Sequence, residues 1–216
     1  MAFTHRQLEL LGQNCHGVTD LPELLERMRR EGPGDYSWPP APGQYESEDI
    51  PLFERIFAQI WHQGDLYPAT YVAVPVWCEV VARFSAVSHA RLLGLLALIE
   101  KTRPSFEVHL LQEGRIEPAE VQDYEAALEG LLVHLPGQLR LLSDATVEGF
   151  RAVEAVLALC AYATGQRWVG TMLGHDGLSL TVPRLEAAAR FVQRGDLPAD
   201  FRAKSAVSAL KDVESW

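Results

Sequence analysis

Cysteine is scarce in this chain, and what there is lies scattered. Cys15, Cys78 and Cys160 are three in 216 residues, an odd number with no CxxC spacing, which argues against a disulfide framework. Cys78 and Cys160 fall inside apolar helical patterns, where a free thiol behaves as a small hydrophobe. Long hydrophobic runs are missing as well: no window approaches the ~18 uninterrupted apolar residues of a spanning helix. The N-terminus sets Glu9 close behind His5 and Arg6 and has no apolar run, so it does not read as a signal peptide. A reducing, cytoplasmic protein with no membrane partner is expected. Basic charge is in deficit, with 19 Lys and Arg against 29 Asp and Glu and a formal charge of −10. That balance repels a phosphate backbone, which excludes nucleic acid as a direct partner, and it suits either solubility or attraction to a basic protein.

Catalytic signatures are absent too. The histidines at 5, 16, 62, 89, 109, 134 and 175 form no HExxH and no H-x₃-H pair, and the glycines make neither GxGxxG nor GxxxxGK[ST]. Cys15-His16 sets a thiol beside a base, but adjacent residues seldom turn their side chains productively toward each other, so a loop pair is expected. His175-Asp176-Gly177 reads as a turn, and Arg194-Gly195-Asp196 as a chance tripeptide. The sequence therefore predicts no catalytic residue, no cofactor and no metal: a protein that is not an enzyme.

What is present is helix after helix, organised around residues 50–86. Leu52, Phe53, Ile56, Phe57 and Ile60 recur at the spacing that gathers side chains on one helical face, with Glu54, Arg55 and Gln59 opposite. Asp49 and Pro51 suit its start. Gly64 reads as the end of that helix and Asp65 as the cap of a second, in which Tyr67, Tyr71, Val74, Cys78, Val81 and Phe84 line one face and Val72, Val76 and Val80 another. Pro75 lies inside it and predicts a kink. Two helices packed antiparallel across Gln63-Gly64-Asp65 are expected. His62, Gln63 and Tyr67 flank this bend, either as a recognition pocket or as partners for open carbonyls at the helix end.

Three neighbouring stretches, Trp61-His62-Gln63-Gly64, Tyr67-Pro68-Ala69-Thr70-Tyr71 and Val72-Ala73-Val74-Pro75, together resemble the signature of bacterial HEAT- or armadillo-like helical proteins. The resemblance spans about thirty residues. It implies an all-α fold of antiparallel helical hairpins stacked as a short α-α superhelix. It also implies an interaction scaffold, since some members resemble immunity proteins encoded beside secreted toxins. The partner expected on that basis is a basic toxin domain, neutralised by direct binding. The rival readings are a structural or adaptor protein and a small-molecule enzyme with a pocket around His62, Tyr67 and Tyr71.

The rest of the chain extends the helical pattern within one domain, 1–216. Phe3 to Asn14 predicts a short helix with Leu8 and Leu11 on its stripe. Asp20 to Glu31 predicts one capped by Asp20, with Pro22 in its first turn and Leu21, Leu24, Leu25 and Met28 inward. Residues 32–49, GPGDYSWPPAPGQYESED, form an aromatic and proline-rich loop, with Tyr36, Trp38 and Tyr45 beside acidic Glu46 and Glu48. It reads equally as a partner-contacting loop and as a cover for the helices. Ser88 to Arg103 predicts a helix ended by Pro104, and 104–117 a loop. Pro118 opens a helix broken at Pro136-Gly137. Helices are also expected at 144–163, 182–194 and 198–213, around an irregular stretch at 166–181. Asp followed by Leu or Ile and then Pro recurs at Asp20, Asp49 and Asp196 without a fixed period. The candidate partner-binding residues are Tyr36, Trp38, Tyr45, Glu46, Glu48, Trp61, His62, Gln63 and Tyr67.

Overall fold

The leucine spacing behind Asp20 produces the helix it predicts. In a computed structural model, which describes residues 2–33, 50, 52–83, 90–139 and 158–159, Leu21, Leu24, Leu25 and Met28 are all buried on one side of a helix at Leu21–Glu31. The described residues hold six α-helices and one two-stranded antiparallel ribbon and are all-α in character. The chain divides into two compact units, residues 1–80 with 105–128, and residues 81–104 with 129–216.

In the first unit, Thr4 and Gln7 form a reciprocal capping box that opens α1 (His5–Leu11). The helix buries Leu10 and Leu11, while Leu8 is 45% exposed, against the expected Leu8–Leu11 stripe. A helix of two turns has room for one packed edge, and that edge is the Leu10–Leu11 end. α1 packs on α2 (Leu21–Glu31), and α2 on α3 (Leu52–Ile60). Asp20 stands at the N-cap of α2 but makes no capping hydrogen bond. Its carboxylate instead accepts from Gln59 Nε2 at 3.2 Å and faces Arg55 Nη2 at 3.6 Å, so the residue that starts α2 also ties it to α3.

α3 buries Phe53, Ile56 and Ile60 as the spacing requires, together with Gln59, which the pattern had assigned to the polar face. The bend that follows differs from expectation. Trp61–His62 (β1) and Asp65–Leu66 (β2) pair as short antiparallel strands, with Trp61 opposite Leu66 and His62 opposite Asp65. Gln63 and Gly64 both take positive φ, 52° and 99°, as a two-residue hairpin turn demands. The next helix, α4 (Thr70–Val81), begins four residues later than a cap at Asp65 would have started it. Pro68 explains the delay, because a residue before proline is pushed out of the helical region, which keeps Tyr67 outside the helix. Within α4, Tyr71, Val72, Ala73, Val74, Val76, Trp77, Cys78 and Val80 are buried around Pro75, as a helix enclosed on two sides should be. Phe57 stacks on Trp61 and Trp77, and Tyr71 meets Tyr124 while donating its hydroxyl to Glu107 at 3.1 Å.

Two prolines expected to end helices do not. α5 (Ala90–Gln112) runs through Pro104, and α6 (Pro118–Leu139) through Pro136-Gly137. An interior proline costs about 3 kcal/mol. In α5 it is tolerated because buried residues lie on both sides of it, Leu92, Leu93, Leu95, Leu96 and Ile99 before and Leu110 after. Thr102 also donates its hydroxyl to the Leu98 and Ile99 carbonyls just upstream. The segment expected to be a loop at 104–117 is therefore helical as far as Gln112. In the second unit Glu100 is 2% exposed and pairs with Arg103 at 3.0 Å, and Leu131, Leu132, Ala158 and Leu159 are buried. The aromatic loop, apart from its first two residues, the helix expected from Asp144, apart from residues 158–159, and everything expected beyond it lie outside the described residues.

Gln63 is the one described non-glycine residue at positive φ, a conformation that costs an L side chain about 1 kcal/mol. Replacing it with Asn, the residue most at home before Gly in such a turn, is expected to raise stability by about 0.5 kcal/mol, and Gly64→Ala to lower it by about 1 kcal/mol. Urea midpoints of the two variants check both signs.

Candidate functional site

α3 ends where it cannot satisfy its own last carbonyls, and two other segments supply the donors. The Cys15 N–H donates to the Gln59 carbonyl at 2.8 Å, and the buried Thr70 hydroxyl donates to the Ile60 carbonyl at 2.8 Å. The loop after α1 is thereby fastened beside the β1–β2 ribbon.

Asn14 shapes that loop from within. Only 8% exposed, it donates through Nδ2 to the Leu11 and Val18 carbonyls, each at 2.8 Å, and accepts through Oδ1 from the His16 and Val18 N–H groups. This is an Asx-type turn closed at both ends. Gln13 adds a third tie: its carbonyl accepts from Ala69 N–H at 3.4 Å, and its side-chain oxygen from Arg115 Nε at 3.4 Å.

The result is a cluster on the rim of the ribbon. Cys15 Sγ lies 3.8 Å from His16 Nδ1, and the His16 and His62 rings meet edge to face with centroids 5.6 Å apart. One donor atom from each of Cys15, His16 and His62 lies within 4.8 Å of the others. Cys15 is half-buried, His16 exposed and His62 partly exposed. Half-buried Tyr67 follows the ribbon beside this group. The neighbouring Cys15 side chain pushes the Tyr67 phenol up to about 12, with burial and Asp65 acting in the same direction and Arg115 opposing them.

Of the residues singled out from sequence, Trp61, His62, Gln63 and Tyr67 come together on and beside the ribbon. Trp61 lies against Phe57, with its buried Nε1 lacking a hydrogen-bond partner among the described residues, and Gln63 is exposed at the tip. Tyr36, Trp38, Tyr45, Glu46 and Glu48 lie outside the described residues. Cys15 and His16, read from sequence as a loop pair, join His62 because the Asn14 turn folds their side chains onto the ribbon. No motif spacing links Cys15-His16 to His62. The nearest sequence signal was the Asn14-Cys15-His16-Gly17 turn composition itself.

Comparison with protein-family models, with curated proteins and with solved structures yields no match to this chain. Among the described residues no helix is long and apolar enough to cross a membrane.

Asn14→Ala leaves four backbone groups without their partner and is expected to cost about 2–3 kcal/mol, seen as a lowered thermal midpoint. Cys15→Ala removes the largest cause of the Tyr67 shift, so the tyrosinate absorbance of Tyr67 should grow in at lower pH than in the unaltered chain. A phenol pKa raised by folding stabilises fully below its ordinary value near 10 and loses that contribution as pH climbs toward 12. Tyr67→Phe should accordingly flatten the fall of stability over that interval.

Proposed function

We propose that the chain is a non-enzymatic helical protein-binding module of the HEAT- or armadillo-like kind, an immunity protein that neutralises a basic bacterial toxin domain by direct binding. The observation that carries the reading is the β1–β2 ribbon. It offers partly exposed Trp61 and His62, half-buried Tyr67 and exposed Gln63 on a tip held by buried helices. Recognition residues concentrate on short connections fixed to a rigid frame, and aromatic side chains on such a platform supply most of an interface's binding energy. Strain retained at a non-glycine residue, here Gln63, is a further mark of a working surface. The formal charge of −10 supports a basic partner, since complementary potentials speed encounter and reject like-charged competitors. The superhelical stacking of hairpins and a cytoplasmic site of action belong to the same reading.

The test is binding to the product of the neighbouring reading frame. A toxin domain encoded there should bind the full chain, with affinity falling as salt rises, and co-expression should protect cells. Gln63→Arg sets a positive charge on the tip against a basic partner and is expected to weaken binding at least about tenfold by calorimetry, with toxicity returning. Absence of a toxin domain there, or binding that Gln63→Arg leaves unchanged, would overturn the proposal.

A further inference from the structure

We propose that Cys15, His16 and His62 form a binding site for a borderline-soft transition-metal ion, Zn²⁺ in the first instance, with a fourth position open to solvent. This goes beyond the protein-binding reading and stands independently of it.

The donor chemistry comes first. One thiol and two imidazoles are the ligand types that select zinc and its neighbours over magnesium or calcium, which require oxygen ligands. Geometry agrees. Zn–S near 2.3 Å and Zn–N near 2.0 Å in a tetrahedral site set donor atoms about 3.5 Å apart. The Cys15–His16 separation of 3.8 Å is close to that, and the whole set lies within 4.8 Å. The remaining gap is for the imidazoles to close, and that of His16 is exposed.

The site is also prepared from both sides. The Asn14 turn and the Cys15 N–H to Gln59 carbonyl bond hold the loop donors, while pairing of His62 with Asp65 across the ribbon holds the third. Two segments distant in sequence thus converge on one point with ligating atoms foremost. Three described donors leave a fourth position for water or a ligand group, the arrangement of an open rather than a closed zinc site.

The experiment uses the full chain, freed of metal with a chelator and titrated with Zn²⁺ by calorimetry and with Co²⁺ as the spectroscopic stand-in. One equivalent of Co²⁺ should bind with a thiolate-to-metal charge-transfer band, and Cys15→Ser should abolish that band. His16→Ala and His62→Ala should each weaken Zn²⁺ at least about tenfold, the scale on which even outer-shell losses act. His109→Ala, an exposed histidine of α5 outside the cluster, should leave affinity unchanged. Circular dichroism keeps loss of binding distinct from loss of fold, and His16→Ala, at an exposed position, is the variant that retains the fold. A chain without the thiolate band, or Cys15→Ser and His62→Ala variants that bind as tightly as the unaltered chain, would overturn the proposal.

Discussion

The last carbonyls of α3 are the constraint on which the first unit depends. A helix cannot satisfy its own final C=O groups, and a buried helix end needs donors from elsewhere. Gln59 and Ile60 receive theirs from the Cys15 N–H and the Thr70 hydroxyl, one from a loop earlier in the chain and one from the start of the next helix. The same Gln59 reaches through its side chain to Asp20 at the start of α2. One residue at a helix end therefore joins three segments, and the ribbon and the Cys15 loop lie side by side as a consequence.

Prolines in this chain show how far local chemistry can be outvoted. Pro68 acts as its stereochemistry dictates, holding Tyr67 outside the helix and delaying α4 until Thr70. Pro75 and Pro104 sit inside helices whose buried side chains lie on either side of them. The difference is one of magnitude. A proline near a terminus meets little opposition, whereas an interior one must outweigh the burial of several leucines or valines, each contributing about 1.5–3 kcal/mol.

The ribbon carries two kinds of group for one mechanical reason. A tight hairpin turn exposes its tip, which suits Gln63 and the flanking aromatics to contact with another molecule. The strand on its inner side is held against the Cys15 loop, which suits His62 to act with neighbours. Residues that must be accessible and residues that must be fixed are thus served by the same four-residue strand pair.

Periodicity alone was enough to identify the helical class, the buried face of α2, the apolar edge of α3 and the enclosure of α4, because burial of a recurrent apolar stripe depends on spacing and little else. It was not enough for Leu8, which two turns of helix left outside, nor for Gln59, whose burial follows from partners in other segments. Trp61, His62, Gln63 and Tyr67 could be read as one group because they are neighbours along the chain, although as a ribbon rather than a helix end. Cys15 and His16 could not be joined to them. Their meeting with His62 rests on a loop folded by Asn14 and on carbonyls left open at the end of α3, and contacts of that kind between distant segments are decided by tertiary structure alone.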